Sequence, residues 1–410
     1  MSRRGLLALC LLLSACKRNA PAPVAPDAGP PAVSAVGGPA APAPTAGDTP
    51  VMKPGDATHR VQPLAVCRAE GTAPLDAARR YFGEGRFEEA LSCAAQAAAL
   101  EPDMAVAHAE RGGALAALGR ESEAQMAYAR ALAIDPGDPD ALLGSAHLYA
   151  VQLPSTRERD ELGALYAERG LSQPHTPPER VPQLALVAAM AFNDLGQSED
   201  ALARAAIVLA REPGNKEALY ERALALFELC RFAEARTAFA SLVDDSQRAA
   251  HAYQHLGLLL EREGQWKVAQ AHFEKARKLA PEDFPAPPLP SEEDFRAEVA
   301  RAVAALPDDM RGDLAGVPVT AEELPANEDL LANTPPLSPT ILGLFRGPPL
   351  GEPCDGSETP CRSVVLYRRN LARAVRTSEE LREQIRVTLL HEIGHLRGED
   401  DEELAARGLE

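Results

Sequence analysis

The chain has 410 residues, enough for two or three domains, and a formal net charge of −18 at pH 7. Such a charge implies no basic surface, which argues against nucleic acid as a partner. Hydrophobic residues make up 46% of the chain but aromatic residues only 4%. We therefore expect a core built largely from alanine, leucine and valine, and the excess of alanine favours helix.

Residues 1–15 have the physical features of a secretion signal. Arg3 and Arg4 precede an apolar run that is too short to span a bilayer as a mature helix. The run ends in LSAC at positions 13–16, which resembles the lipobox of bacterial lipoproteins. The resemblance implies cleavage before Cys16 and lipidation of that cysteine, whereas the alternative is an ordinary signal peptide with a chance cysteine.

A lipidated Cys16 would anchor the protein in the cell envelope, at the outer side of a bacterial membrane. Within the envelope, we favour a location of the protein at the outer membrane or facing the periplasm. Residues 16–63 are rich in alanine, proline and glycine. Such a segment cannot bury enough apolar surface to fold, so we predict a disordered tether between the anchor and the folded part.

Residues 64–283 contain a repeat with a period of 34 positions. The period is visible in three alanines that are each 34 apart: Ala201, Ala235 and Ala269. About six units of two amphipathic helices fit this region. Pro136 and Pro213 are 77 apart, nine more than two periods. This spacing predicts that the third unit carries an insertion.

The sixth unit shows the pattern best. Gly264 ends its first helix, Ala269 lies where the two helices cross, and Phe273 packs inward. These features resemble the tetratricopeptide repeat. The resemblance implies an α-solenoid whose concave face binds a protein or peptide. The alternative is that the repeats only space or scaffold the C-terminal domain.

Proline-rich residues 284–290 are predicted to end the solenoid, and residues 291–410 to form a second domain. Its expected elements are a helix in residues 295–314, a strand in residues 316–323, an apolar segment in residues 341–350, and a strand over Ser363–Leu371. If the last strand lies at the sheet edge, four of its residues could align a substrate by strand addition: Val364, Val365, Leu366 and Tyr367. The alternative for this strand is core packing.

The cysteines of an exported chain can form lasting disulfides. Cys354 and Cys361 flank DGSETP, which consists of turn-forming residues, so a loop-closing disulfide is expected. A metal site is the other interpretation of this pair. The pairing of Cys67 is open, with a bridge to Cys93 as one possibility.

The last predicted helix carries HEIGH at positions 391–395. Residues four apart on a helix lie one turn above each other, so His391 and His395 can direct both imidazoles at one ion. Glu392 would lie beside that ion. His251 and His255 are also four apart, but no glutamate follows the first and the segment obeys the repeat pattern. We interpret that second pair as groove or surface residues.

A third ligand is expected beyond the helix end, since catalytic zinc usually has three protein ligands. Gly398 can end the helix and turn the chain, and Asp401 comes ten positions after His391. Three neighbouring carboxylates are alternatives: Glu399, Asp400 and Glu402. Because an acidic helix C-terminus opposes the helix dipole, we also expect these residues to indicate a bound cation.

The resulting pattern, HExxHxxGxxD, resembles the extended zincin signature of metzincins, with aspartate in place of the third histidine. The order of elements further resembles a small bacterial family of minimal zinc proteases with a matrix-metalloprotease-like domain. The resemblance implies Zn²⁺ as cofactor, held by His391, His395 and Asp401. It also implies Glu392 as the catalytic base in peptide-bond hydrolysis.

The predicted fold is mainly α, a tetratricopeptide α-solenoid followed by a small α+β zincin-like domain. The predicted function is a lipid-anchored, extracytoplasmic zinc metallopeptidase whose solenoid recruits a protein or peptide. One alternative is a lipoprotein adaptor for protein assembly with an idle zincin fold. Another is a zinc site that is structural only.

Overall fold

The computed structural model describes residues 66–69, 71–354 and 360–409. The expected signal sequence, Cys16 and the tether lie outside the described residues, so the lipid anchor stays a prediction. Within the described ranges, no helix is long and apolar enough to cross a membrane.

Twelve consecutive α-helices of the described chain form six pairs, and each pair packs against the next. The helices are α1 (Pro74–Gly83), α2 (Phe87–Leu100), α3 (Ala105–Ala117), α4 (Glu121–Ile134), α5 (Pro139–His147), α6 (Arg157–Ser172), α7 (Arg180–Asp194), α8 (Ser198–Arg211), α9 (Lys216–Glu228), α10 (Phe232–Ala240), α11 (Ala249–Arg262) and α12 (Trp266–Leu279). Stacked helix pairs of this kind make an α-solenoid, as predicted.

Small side chains at repeated positions let the helices of each pair approach closely. Ala201, Ala235 and Ala269 are all fully buried. The turn inside most pairs is made by a glycine in the left-handed conformation, as at Gly264 with φ +71°. In the fifth pair Cys230 takes this place with φ 56°, a conformation that a residue with a Cβ adopts only at a cost.

The third pair is irregular, which confirms the predicted insertion. After α5 the chain continues as a π-helical turn over Leu148–Gln152. A further segment separates the end of α6 from the start of α7. The rings of Tyr149 and Tyr166 stack across this pair, with centroids 5.9 Å apart.

The C-terminal part combines helices with a three-stranded sheet. Its elements are α13 (Glu292–Ala304), α14 (Asp308–Asp313), β1 (Val319–Glu322), α15 (Asn327–Leu330), β2 (Gly343–Arg346), β3 (Ser363–Tyr367), α16 (Arg368–Arg373), α17 (Ser378–Arg397) and α18 (Asp401–Ala406). The strand order is β1-β3-β2, with β1 parallel and β2 antiparallel to β3. Helices α13 and α17 pack on one face of this sheet.

The central position of β3 corrects one expectation from the sequence. All of its residues, including Val364, Val365, Leu366 and Tyr367, are buried. Val364 and Leu366 belong to the cluster with α13 and α17, whereas Val365 and Tyr367 belong to a cluster on the other face. Because both edges of β3 are paired, it offers no free edge to a substrate, and the core-packing alternative is the one observed.

The expected strand over residues 363–371 is also too long. The chain leaves the sheet after Tyr367 and forms α16. Tertiary contacts explain this: Arg368 and Arg369 both pair with Glu323 at 2.7 Å. Strand propensity could not reveal these ion pairs, since they join residues 45 or 46 positions apart.

Four of the five cysteines in the described residues form disulfides. The structure pairs Cys354 with Cys361 and Cys67 with Cys93, and Cys230 is free. Cys67 precedes the first helix and Cys93 lies in α2. The Cys67–Cys93 bridge therefore ties the start of the described chain to the first repeat.

We predict that the Cys67–Cys93 bridge stabilises the first repeat. Its partners are 26 positions apart, and closing a loop of this size removes unfolded-state entropy worth about 3.5 kcal/mol. Replacing both cysteines with alanine should therefore increase amide hydrogen exchange in α1 and α2. Reduced wild-type protein should exchange like the variant in these helices. Equal protection in the variant and the oxidised wild type would contradict the prediction.

Candidate metal centre

Helix α17 presents the two histidines because its start and its buried face are both fixed. Thr377 Oγ1 accepts a hydrogen bond from the Glu380 backbone N–H at 3.1 Å, and Glu380 accepts one in return from the Thr377 N–H at 3.2 Å. This is a capping box. One side of the helix packs against β3 through four buried residues: Leu381, Ile385, Leu389 and Ile393.

Gly398 ends α17 with φ +94°, the left-handed conformation that the sequence predicts for it. A second helix, α18, starts three residues later. Its N-cap is Asp400, which forms a capping box with Glu403. The acidic run thus lies at a helix N-terminus, where the dipole favours carboxylates. This corrects the expectation that these residues form an acidic C-terminal helix end.

Helix α18 folds back against α17 at a glycine. A Cβ at Gly394 would overlap Cδ2 of Leu404, which is fully buried. The glycine therefore allows α18 to approach α17 closely enough to bring its first residue, Asp401, beside the histidines. An ion pair between Glu399 and Arg407 further holds the turn to the end of α18.

Three side chains converge between α17 and α18. The Nε2 atoms of His391 and His395 are 3.0 Å apart. Asp401 Oδ1 lies 3.3 Å from His395 Nε2 and 3.6 Å from His391 Nε2. Within the described residues, this is the cluster of His, Cys, Asp and Glu side chains whose ligand atoms lie close enough together to hold a metal ion.

The alternative ligands have other roles. The Glu399 carboxylate pairs with Arg407, and the Asp400 side chain accepts from the Glu403 N–H at 2.9 Å. Glu402 is exposed. Of the four carboxylates considered from the sequence, the structure brings Asp401 to the two imidazoles.

The second nitrogen of each imidazole fixes its protonation. His391 Nδ1 lies 2.6 Å from the Leu409 carbonyl oxygen, and His395 Nδ1 lies 3.0 Å from the Glu399 carbonyl oxygen. A carbonyl can only accept, so each Nδ1 carries the hydrogen and donates it. In a neutral imidazole Nε2 then holds a lone pair, which is the form that binds a metal.

This donor set fits a zinc ion. Two imidazole lone pairs and a carboxylate oxygen face one another at 3.0 to 3.6 Å, and they repel unless a cation lies among them. Ligand atoms bound tetrahedrally to zinc are separated by about 3.3 Å. The separations between the three donors match that value.

Without a metal, protons would relieve part of the repulsion. Burial lowers the pKa of His395, but its hydrogen bond with Asp401 and the charge of Glu392 outweigh burial, so this pKa is raised. Burial dominates at His391 and lowers its pKa. His395 therefore takes up the first proton of the pair.

Glu392 lies beside the three donors, beneath strand β2. It is 5% exposed, and burial raises its pKa to about 7. The charge of His395 and the backbone N–H of Phe345 oppose burial and act to lower this pKa. A Cβ at Gly343 would come within 2.8 Å of Glu392 Oε1, so the glycine allows β2 to pass directly over this carboxylate.

The fold and the site together define the class of the C-terminal part as a zincin-like metallopeptidase domain. Residues 314–409 match the family model of zincin-like metallopeptidases. Residues 75–139, 186–251 and 250–283 match tetratricopeptide-repeat models. The chain therefore carries tetratricopeptide repeats followed by a zincin-like metallopeptidase domain, which confirms the predicted resemblance to the tetratricopeptide repeat and to zincins.

Similar solved structures cover the repeats. YrrB, a tetratricopeptide protein with an unusual peptide-binding site, is 18% identical over 46% of this chain and 93% of its own, with a TM-score of 0.38. PilW, a type IV pilus biogenesis factor, is 19% identical over 52% and 94%, with a TM-score of 0.42. PilF of Pseudomonas aeruginosa is 18% identical over 55% and 96%, with a TM-score of 0.43. No curated protein matches the chain in sequence.

Several residues that shape the site were missed from the sequence. Helix α18 was not predicted, although the spacing of Asp400 and Glu403 is a readable capping signal. Gly394 was not singled out, although a glycine inside a helix often marks close packing. The Leu409 carbonyl contact carries no sequence signal, because any residue supplies a backbone oxygen.

We predict that Gly394→Ala weakens zinc binding. The added methyl group would push Leu404 and α18 away from α17 and displace Asp401. We expect zinc affinity, measured by competition with a chromophoric chelator, to fall roughly 10–100-fold. Losses of this size are typical when a residue that holds a metal ligand in place is mutated. Gly312→Ala is the matched control, since nothing lies within 4 Å of a Cβ at that position. Unchanged affinity in Gly394→Ala would contradict the role of this close contact.

We also predict that the Glu392 carboxylate makes the stability of the metal-free protein dependent on pH. Its pKa is about 7 in the folded protein, against an ordinary value of 4.5 for a solvated glutamate, so the folded form binds the proton more tightly. Stability is then fully present below pH 4.5 and is lost as the pH rises through 7. The loss amounts to about 3 kcal/mol at pH 8.

Glu392→Gln keeps this position neutral and should abolish the loss. Urea unfolding of metal-free protein at pH 5 and pH 8 should show the variant more stable than wild type mainly at pH 8. Glu383→Gln on the same helix is the control, because Arg386 lowers the pKa of Glu383 and the change should act in the opposite direction. A stability difference for Glu392→Gln that is the same at both pH values would refute the assignment.

Proposed function

We propose that this protein is a zinc metallopeptidase that hydrolyses peptide bonds, with a solenoid that recruits a protein or peptide. The convergence of two imidazole Nε2 atoms and one carboxylate oxygen at 3.0 to 3.6 Å carries this proposal. His391, His395 and Asp401 would hold the ion. When bound, zinc acts as a Lewis acid on the scissile carbonyl and makes water more acidic.

The protein's own residues supply the proton transfers and the alignment of the substrate. The buried Glu392 carboxylate, with its pKa of about 7, is suited to take a proton from the attacking water and deliver it to the leaving amine. Strand β2 pairs only with β3 among the described strands. An extended peptide added along the other side of β2 would pass directly over Glu392.

We further propose that the protein works outside the cytoplasm, anchored through Cys16. The disulfides Cys67–Cys93 and Cys354–Cys361 support this location, because disulfides persist in oxidising compartments. The lipobox-like sequence at positions 13–16 supports the anchor. The tetratricopeptide repeats support a protein or peptide partner.

The test uses the purified protein with all of its repeats, loaded with zinc and incubated with casein. We expect one zinc per chain and measurable hydrolysis. Glu392→Ala should keep the zinc but lose roughly 10²–10⁴-fold in rate, as for removal of a general base. Asp401→Ala should lose the zinc itself, and Glu402→Ala, the matched neighbouring carboxylate, should lose neither.

Two results would replace the proposal. If wild type and Glu392→Ala cut equally little while the solenoid still captures a partner, the protein is an adaptor with an idle zincin fold. If zinc removal unfolds the domain and no hydrolysis is ever seen, the ion is structural.

A further inference from the structure

The solenoid packs against an apolar cluster on one face of the C-terminal sheet. The cluster contains Leu330, Leu337, Ile341, Val365 and Tyr367. Cys230 and Phe232, from the turn between α9 and α10, pack against this cluster. The metallopeptidase domain and the fifth repeat therefore share a core, although the proline-rich segment separates them in sequence.

A buried ion cluster joins the sixth repeat to α16. Glu261, near the end of α11, is 4% exposed. Its carboxylate binds Arg369 at 2.9 Å and also binds Arg373. The two guanidinium groups lie over aromatic rings of α12, with Arg369 4.4 Å from the Trp266 centroid and Arg373 5.1 Å from the Phe273 centroid.

Helix α16 is linked in turn to the strand that covers Glu392. Asn370, also 4% exposed, donates to the carbonyl oxygens of Pro339 at 3.1 Å and Ile341 at 2.8 Å. These residues lead directly into β2, whose Gly343 lies against Glu392. Ion pairs to α16, the hydrogen bonds of Asn370 and the chain that leads into β2 thus connect the solenoid to the candidate catalytic base.

We propose that the last two repeats are a structural part of the candidate catalytic site and that Glu261 is a positioning residue for Glu392. Glu261 shares Arg369 with Glu323 but is the carboxylate that pairs with Arg373. Without its charge, the largely buried Arg373 guanidinium would lose that pairing and would repel Arg369. Helix α16 would then shift and carry Asn370 and the segment before β2 with it. This inference rests on the proposed function only for its effect on turnover.

The test compares Glu261→Gln with wild type in the zinc-loaded protein with all repeats. We expect amide hydrogen exchange in residues 337–346 and in α16 to increase roughly tenfold or more, the effect of weakening a hydrogen bond to a charged group. Glu263→Gln is the matched control, since Glu263 is paired with Arg236 but exposed, and it should leave this exchange unchanged. Unchanged exchange in residues 337–346 of Glu261→Gln would overturn the proposal.

A second variant tests the order of the contacts. Asn370→Ala should increase exchange in residues 337–346 while α16 stays protected against the solenoid. If Glu261→Gln does not fold, Arg373→Lys takes its place, because lysine keeps the charge but lacks the planar guanidinium that contacts Glu261 and lies over the Phe273 ring. If Glu261→Gln or Arg373→Lys increases exchange in α16 alone, Glu261 only holds the two domains together and does not position Glu392. That result would overturn the proposal.

The rate of casein hydrolysis tests whether Glu261 affects activity. If casein is hydrolysed, Glu261→Gln should lower kcat with little change in KM or in zinc content, because only the base is displaced. If casein is not hydrolysed by wild type, the proposed function fails, but the exchange measurement still decides whether the repeats support the site.

Discussion

The repulsion among three electron-rich atoms is the constraint on which the C-terminal structure depends. His391, His395 and Asp401 direct lone pairs into the same small volume. Both imidazoles are held in this orientation by backbone carbonyls that accept from Nδ1. A cation placed among the three donors would relieve this repulsion.

The rest of the domain can be understood as support for that arrangement. The capping box and the buried face of α17 fix the histidines, and Gly394 lets α18 bring the carboxylate to them. Strand β2 covers Glu392 on the remaining side. The Glu392 carboxylate is thereby removed from water, which raises its pKa to about 7.

The sequence predicted the parts of the molecule that depend on local patterns. The 34-residue period predicted the solenoid, and the spacing of HEIGH and Gly398 predicted the helix of the candidate ligands and its end. The position of β3 inside the sheet could not be predicted in this way, because strand order depends on contacts between distant segments. Likewise, the contacts of Glu261 with Arg369 and Arg373 join residues 108 and 112 positions apart, and no local pattern signals them.

The candidate ligands lie within ten positions of one another, whereas the pairing of β1 with β3 joins Val319 to Val364. Closing the short segment between the histidines and Asp401 costs far less chain entropy than forming that long-range pairing. Under the proposed function, the hairpin of α17 and α18 would therefore form around its ion before the sheet exists. The metal would then act as a nucleus around which the three strands assemble.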